Sequence, residues 1–353
     1  MGVFETIGTE THESVHFGED KASGLRAIIA IHSTALGPSL GGTRFYNYPD
    51  EDAALVDVLR LSKGMTYKAA AAGLAQGGGK AVIVGDPSEL AHDDLFRAYG
   101  QFIDGLAGRY ITAEDVGTTV ANMEIIATQT SFVSGLPIGS GGSGDPSPAT
   151  ARGVLASIRA VSNHLWNTDS LQGRRIAIKG VGKVGIALVE MLADDGAEIV
   201  VADVNDRATE VASSQFGAKV VAVEDIHRVE CDVFSPCALG SDLNETTIPE
   251  LACASVAGSA NNQLAVDEDA DRLAERGILY APDFVVNAGG IINIAAEAGG
   301  YNLEKANGMV DRIYENLTEI LQASDTLGVT TEHAATHVAE SRIEAARRQG
   351  DES

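Results

Sequence analysis

The stretch RRIAIKGVGKVGIALVEMLADDGAEIVVADVN, residues 174–205, admits few folds. A short apolar run, Arg175–Lys179, leads into Gly180-Val-Gly182-Lys183-Val184-Gly185. A helical segment follows, and a second apolar run, Glu198–Ala202, ends in Asp203. An isolated GxGxxG pattern carries little weight, but here the whole strand–helix–strand context surrounds it. Its glycines permit a tight turn, close approach of a pyrophosphate and close helix–strand packing, and a helix N-terminus attracts phosphate. Asp203 stands about twenty residues after the first glycine, suited to bonding an adenosine ribose hydroxyl. Its charge would repel a 2′-phosphate, which favours NAD over NADP. Arg207 is the one nearby group that could instead accept that phosphate.

Further apolar runs at AKVVAV (218–223), CDVF (231–234), ASVAG (254–258) and DFVVN (283–287) alternate with segments of helical character. That alternation predicts a doubly wound α/β sheet. Two of these runs end in polar or glycine-rich groups, Gly258-Ser-Ala-Asn261-Asn262 and Asn287-Ala-Gly-Gly290, and their positions point toward a nicotinamide. As ordinary residues they would be caps and turns.

The first half of the chain centres on LSKGMTYKAAAAGLAQGGGKAVI, residues 61–83. Lys80 follows three glycines and precedes an apolar run expected to be a buried strand, which would put it at a strand mouth with little water around it. Desolvation disfavours an ammonium, and a neutral lysine can serve as a general base. A phosphate loop is excluded, because Leu74 stands where the first glycine is needed and Ala81 replaces the metal-binding hydroxyl. An ordinary glycine turn with a solvated lysine is the alternative. A strand is expected at 25–31, a loop at 33–43, and a helix capped by Asp50 and stopped at Gly64. Asp86-Pro87-Ser88 opens a second helix. The strand RYITA (109–113) runs into Glu114-Asp115, so Lys80, Asp115 and the Leu40–Gly42 loop could converge at the carboxyl ends of strands. Asp115 could equally cap the helical segment that follows it.

GLPIGSGGSGDPSP, residues 135–148, is the densest turn chemistry in the chain. It divides an expected first domain, 1–140 with 328–353 packing back on it, from a second, 141–327. Thr150 starts a long amphipathic helix. The 353 residues suffice for two cores. Net charge is −25, which argues against a nucleic-acid partner. No apolar run is long enough to cross a bilayer, and no secretory signal is visible. Cys231, Cys237 and Cys253 form no CxxC pair, which fits a reducing cytoplasm, and no metal is expected.

Taken together, LGPSLGGTRFY, GMTYKAAAAGLAQGGGKAVI, TAEDVGT, GVGKVG, AGSANNQL and APDFVVNAGGIIN resemble the Glu/Leu/Phe/Val dehydrogenase superfamily, nearest its leucine and valine branch. The resemblance covers nearly the whole chain. It implies a substrate- and oligomer-forming α/β domain, a Rossmann domain binding NAD, a cleft between them, and a homo-oligomer. The implied reaction is oxidative deamination of an L-amino acid to a 2-oxo acid, ammonium and NADH. By matching position, Lys68 would hold the substrate carboxylate, helped by the backbone at Gly41 and Gly42. Lys80 would activate water, and Asp115 would exchange protons with the substrate nitrogen. Asn262 would orient the substrate or cofactor, and Thr150 and Asn287 would fix the nicotinamide. Gly180, Gly182, Lys183, Val184, Gly185, Asp203, Ala238 and Asn261 would complete the nucleotide site.

The same resemblance lines the substrate side-chain pocket with Leu40, Ala113, Ile291 and Ile294. These apolar walls disfavour glutamate, and Leu40 crowds an aromatic ring. A methylene is worth only about 1–3 kcal/mol in such a pocket, so broad branched-chain activity is expected. The alternatives are a phenylalanine or other aromatic enzyme on the same scaffold, or a non-catalytic NAD-sensing homologue.

Overall fold

The computed structural model describes residue 7, residues 11–238 and residues 240–351. The chain forms two compact units. The first comprises the described residues of Met1–Asp145, Ile294–Asn302 and Ala339–Ser353, and the second Pro146–Asn293 and Leu303–Val338.

In the first unit, β1 (Ser14–Asp20), β2 (Leu25–Ser33), β3 (Ser39–Tyr46), β4 (Gly77–Val84) and β5 (Tyr110–Glu114) form a sheet in the order β1-β2-β4-β3-β5. β3 runs parallel to both β4 and β5, and β2 is antiparallel to β1 and β4. Helix α1 (Glu51–Ala71), capped by Asp50, covers one face through Ala54, Leu55, Val58 and Leu59, which pack on Ile28, Ala30 and Val82. Helices α2 (Asp93–Asp104) and α3 (Val120–Ala127) cover the other, where Leu95, Phe96, Tyr99 and Met123 meet Ile29, Ile31, Phe45 and Ile83. The alternation of strand side chains thus assigns each residue a face.

Four local expectations are corrected. The 33–43 segment is not a loop throughout, because Leu40, Gly41 and Gly42 lie inside β3. The glycines Gly77–Gly79 and Lys80 lie inside β4 rather than in a turn before it. Helix α1 runs through Gly64 to Ala71, and its stop is Gly73 at φ +67°, whose N–H returns to Ala70 O. The segment opened by Asp86 makes only a single helical turn, Pro87–Leu90, before α2 begins with His92 as its cap.

In the second unit, β6 (Arg175–Lys179), β7 (Glu198–Ala202), β8 (Lys219–Val220), β9 (Cys231–Pro236), β10 (Cys253–Val256) and β11 (Leu279–Tyr280) are all parallel, in the order β11-β10-β9-β6-β7-β8. That order reverses between β6 and β9, the topological switch point of a Rossmann sheet. Helix α4 (Ser147–Trp166) precedes β6, and α5 (Lys183–Asp194) joins β6 to β7. DFVVN is not a strand. Asp283–Val286 is a helical turn following Pro282, with Val285 and Val286 fully buried, and burial overrides their β preference. The edge strand expected over 218–223 pairs only at Lys219–Val220.

Residues 141–145 and 294–302, expected with the second domain, cluster with the first unit. Residues 328–338, expected with the first domain, cluster with the second unit, where Thr331 Oγ1 donates to Tyr280 O. The same helix, Thr331–Asp351, joins the first unit from Ala339 on, through Arg342 Nη1 donating to Ala70 O and Ala71 O at 2.9 Å each. No described helix is long and apolar enough to cross a membrane.

Candidate active site

Lys80 is the fourth residue of β4 and is only 7% exposed. Its Nζ lies 2.8 Å from Asp115 Oδ2, just past the end of β5. The two strands are not neighbours, because β3 lies between them. The register pairs Leu40 with Gly78 and Thr43 with Ala81, which sets Gly42 beside Lys80, and Gly42 in turn pairs with Ala113. A side chain at Gly42 would bring its Cβ to 2.6 Å from Glu114 O and 2.9 Å from Asp115 Cβ. The bare glycine therefore leaves the corridor through which the lysine reaches the carboxylate. A Cβ at Gly41 would fall 1.8 Å from Gly79 O, and one at Gly78 would fall 2.0 Å from Thr66 N. The glycine-rich strands are thus packed against each other and against α1. Gly78 touches Thr66, so the last turn of α1, which carries half-buried Lys68, lies over β4.

Asp115 is not a helix cap, since Thr119 caps α3 with a capping box through Asn122. Instead its backbone N–H donates to Thr118 Oγ1 at 2.9 Å. Burial pushes the Asp115 carboxyl up, but Lys80, Arg44 and the Val116 N–H together hold it below the usual carboxylate range. Beneath the strands, Thr43 Oγ1 lies 2.6 Å from both Tyr99 Oη and Thr112 Oγ1, and Tyr110 Oη donates to Gly41 O at 2.6 Å. These buried bonds fix the floor of the site.

Leu40 and Ala113 are buried in adjacent strands. Ile291 and Ile294 lie in the helix Gly289–Ala295, the former in the second unit and the latter in the first. Four residues of the first unit had no signal in the sequence reading. Arg44 borders Asp115 and is backed by Asp57, on which Tyr48 Oη donates, and Glu297 accepts from Gly135 N at 3.0 Å and Ser143 N at 2.7 Å. A strand assignment for 39–46 would have shown that Arg44 shares a face with Gly42; Glu297 offered no comparable pattern.

In the second unit, Gly180 takes φ +99°, and a Cβ there would meet Ala238 N at 2.8 Å. A Cβ at Gly185 would meet Gly180 O at 2.1 Å, while one at Gly182 would meet nothing within 4 Å. Helix α5, whose first turn holds Lys183, Val184 and Gly185, starts at Gly182 with no side-chain cap, so its first N–H groups are available to an anion. Asp203 accepts from Val181 N at 2.7 Å and Asn205 N at 2.8 Å, which fixes its carboxylate beside the glycine turn. Asn287 Nδ2 donates to Asn261 Oδ1 at 2.8 Å, whereas its buried Oδ1 has no hydrogen-bond partner. An orphaned buried acceptor suits an amide donor such as a carboxamide. Asn262, at φ +52°, is exposed, and its carbonyl accepts from Ser241 N. Thr150 lies in the first turn of α4, with its Oγ1 on Pro146 O at 3.0 Å. A Cβ at Gly289 would meet Ala149 O at 2.1 Å, so the Asn287–Gly290 run serves close helix packing as well. This set of groups fits a dinucleotide.

Residues 9–132 match the family described as "Glu/Leu/Phe/Val dehydrogenase, dimerisation domain", and residues 141–215 and 201–350 match "Glutamate/Leucine/Phenylalanine/Valine dehydrogenase". The chain belongs to this family. It is an amino acid dehydrogenase with a Rossmann-type nucleotide domain. Its similarity to leucine dehydrogenase of Geobacillus stearothermophilus is 50% identity over 348 residues, covering 99% of this chain and 95% of that protein. Valine dehydrogenase of Streptomyces virginiae is 46% identical, covering 95% of each. Among solved structures, L-tryptophan dehydrogenase from Nostoc punctiforme superposes with a TM-score of 0.90 at 43% identity, covering 98% of this chain and 99% of that one. Within the Glu/Leu/Phe/Val dehydrogenases, then, this chain has relatives named for both aliphatic and aromatic amino acids.

Proposed function

We propose that the chain catalyses reversible, NAD-dependent oxidative deamination of branched-chain L-amino acids: amino acid, NAD⁺ and water give 2-oxo acid, ammonium, NADH and a proton. The observation that carries this reading is the pair formed by buried Lys80 and half-buried Asp115 beside the apolar Leu40 and Ala113, in a family of amino acid dehydrogenases. Lys68 supplies the charge for the substrate carboxylate. Asp115, held ionised, takes a proton from the substrate ammonium so that the nitrogen lone pair is free to form the imine. Bound NAD⁺ supplies the acceptor for the hydride leaving the α-carbon. Lys80 first releases its own proton to solvent, the net proton of the reaction, and its free amine then takes one from the water that attacks the imine carbon, while Asp115 returns one to the departing nitrogen. In the second unit, Gly182 and the first turn of α5 take the pyrophosphate and Asp203 the ribose. Asn287, through its unpartnered Oδ1, would hold the nicotinamide carboxamide together with Thr150, Asn261 and Asn262, and Ala238 would line the glycine turn. The dimerisation-domain match supports a homo-oligomer, and the three free thiols support a reducing cytoplasm.

An aromatic substrate is the second reading, favoured by the tryptophan dehydrogenase relative. NADH formation with leucine, valine, isoleucine, phenylalanine, tryptophan and glutamate, in wild type and Lys80→Ala, tests both. Branched-chain turnover that the substitution abolishes is expected. Turnover confined to phenylalanine or tryptophan would replace the first reading with the second, and undiminished activity in Lys80→Ala would remove Lys80 from the mechanism.

A further inference from the structure

Asp115 Oδ2 faces a second cation. Arg44 projects from β3 on the same face as Gly42, and its Nε lies 3.4 Å from that oxygen, while Lys80 Nζ approaches at 2.8 Å. The guanidinium is held from behind: Arg44 Nη1 donates to Asp57 Oδ2 on α1 at 2.8 Å. Asp57 is itself ordered, since Tyr48 Oη donates to its Oδ2 at 2.7 Å and Arg60 Nη2 donates to its Oδ1 at 3.2 Å. A relay of alternating charge therefore runs Asp57–Arg44–Asp115–Lys80, with three of its four members largely shielded and only Lys80 fully buried.

We infer that Arg44, anchored by Asp57, is a positioning residue that orients the Asp115 carboxylate toward Lys80 and sets the pH above which that carboxylate can accept a proton. This rests on the proposal that Asp115 and Lys80 carry the proton transfers. Two geometric facts argue for it. The planar guanidinium uses separate nitrogens for the two carboxylates, which an ammonium could not match. The Asp57 carboxylate offsets part of Arg44's charge, so the pull on Asp115 is graded by a residue that never touches the substrate-facing pair. Of the other charged or titratable groups, Glu114 directly precedes Asp115 at the end of β5, Tyr110 on β5 feels its charge, and Tyr48 and Arg60 act through Asp57. In keeping with this, burial opposes the Arg44 charge, but Asp115 and Asp57 outweigh it and raise the proton affinity of the guanidinium, so Arg44 stays charged throughout.

The acid limb of kcat/KM against pH, set on this reading by the Asp115 carboxylate, is the readout. Removing a cation from beside that carboxylate raises its proton affinity, and removing an anion lowers it. Arg44→Met should move the acid limb up by roughly one pH unit. Asp57→Asn should move it down by a smaller step, and Arg44→Lys should leave it near the wild-type pH with a reduced kcat. Opposite shifts in the two charge-removing variants cannot come from loosened packing alone. Limbs unmoved in folded Arg44→Met and Asp57→Asn would overturn the inference; if Arg44→Met does not fold, Asp57→Asn alone decides. Asp115→Asn separates the two levels. Wild-type activity there would sink the underlying reading, whereas lost activity there with unmoved limbs elsewhere would sink only the role of Arg44.

Discussion

Lys80 and Asp115 meet across a strand that belongs to neither of them. β3 separates β4 from β5, and the two side chains touch because Gly42 presents no Cβ between them. The ion pair depends on an absent atom as much as on the charges present. Gly42→Ala should therefore lower kcat/KM by about a hundredfold, the usual effect of a displacement near 1 Å in a reacting group. It should also cost roughly 1–3 kcal/mol of stability through overpacking. Steady-state kinetics and thermal unfolding of the same preparation check both; unchanged kinetics would mean that the corridor is wider than the contact distances say.

Glu297 fastens the 135–144 segment through backbone N–H groups of Gly135 and Ser143, close to the wall formed by Ala113, whose Cβ a Gly135 side chain would meet at 3.9 Å. Glu297→Gln keeps an acceptor but loses the charge that strengthens both bonds. Amide hydrogen exchange should speed up by about tenfold over 135–144 while the sheet amides stay protected. Uniformly faster exchange would instead indicate global destabilisation.

Asp203 holds two backbone N–H groups at the end of β7. Asp203→Asn should raise the KM for NAD about tenfold and narrow the preference over NADP, because a charged acceptor and its repulsion of a 2′-phosphate are lost together. Initial rates with both cofactors measure this. An unchanged NAD-to-NADP ratio would place the discrimination elsewhere.

Glu332 faces Asp283 and Asp267, and burial followed by those two carboxylates pushes its carboxyl up to about 8. An unfolded glutamate titrates near 4.3. The folded protein thus binds this proton more tightly, and the resulting stability is present in full below about pH 4.5 and is lost as pH rises toward 8. Glu332→Gln removes that slope and should raise Tm by on the order of a few degrees at pH 8.5 while changing little near pH 4.5. Thermal scans at the two pH values test it, and an equal change at both would point to packing instead.

The nucleotide half was legible because its signals are local. Glycines at fixed offsets, a helix start directly after them and an acidic residue closing the second strand all fall within one βαβ unit. The catalytic half was legible only as residue types. Lys80 and Asp115 are visible as candidates, but reading glycine as a turn former makes 33–43 a loop, leaves β3 unassigned and hides the face carrying Arg44. In β3 and β4 the glycines serve close approach between layers, as the contact of Gly78 with Thr66 shows. DFVVN went astray for the converse reason: β-branched side chains follow burial rather than intrinsic preference where a proline starts a helical turn.

The floor of glycines has a bearing on redesign. Gly41, Gly42, Gly77 and Gly78 are each pressed against backbone atoms at distances no Cβ tolerates. A library meant to widen substrate scope gains nothing by varying them. Within the first unit, and on the proposed reading, productive diversity lies at Leu40 and Ala113, buried side chains of β3 and β5 on the face of Gly42, where a change of volume does not drive a new Cβ into backbone.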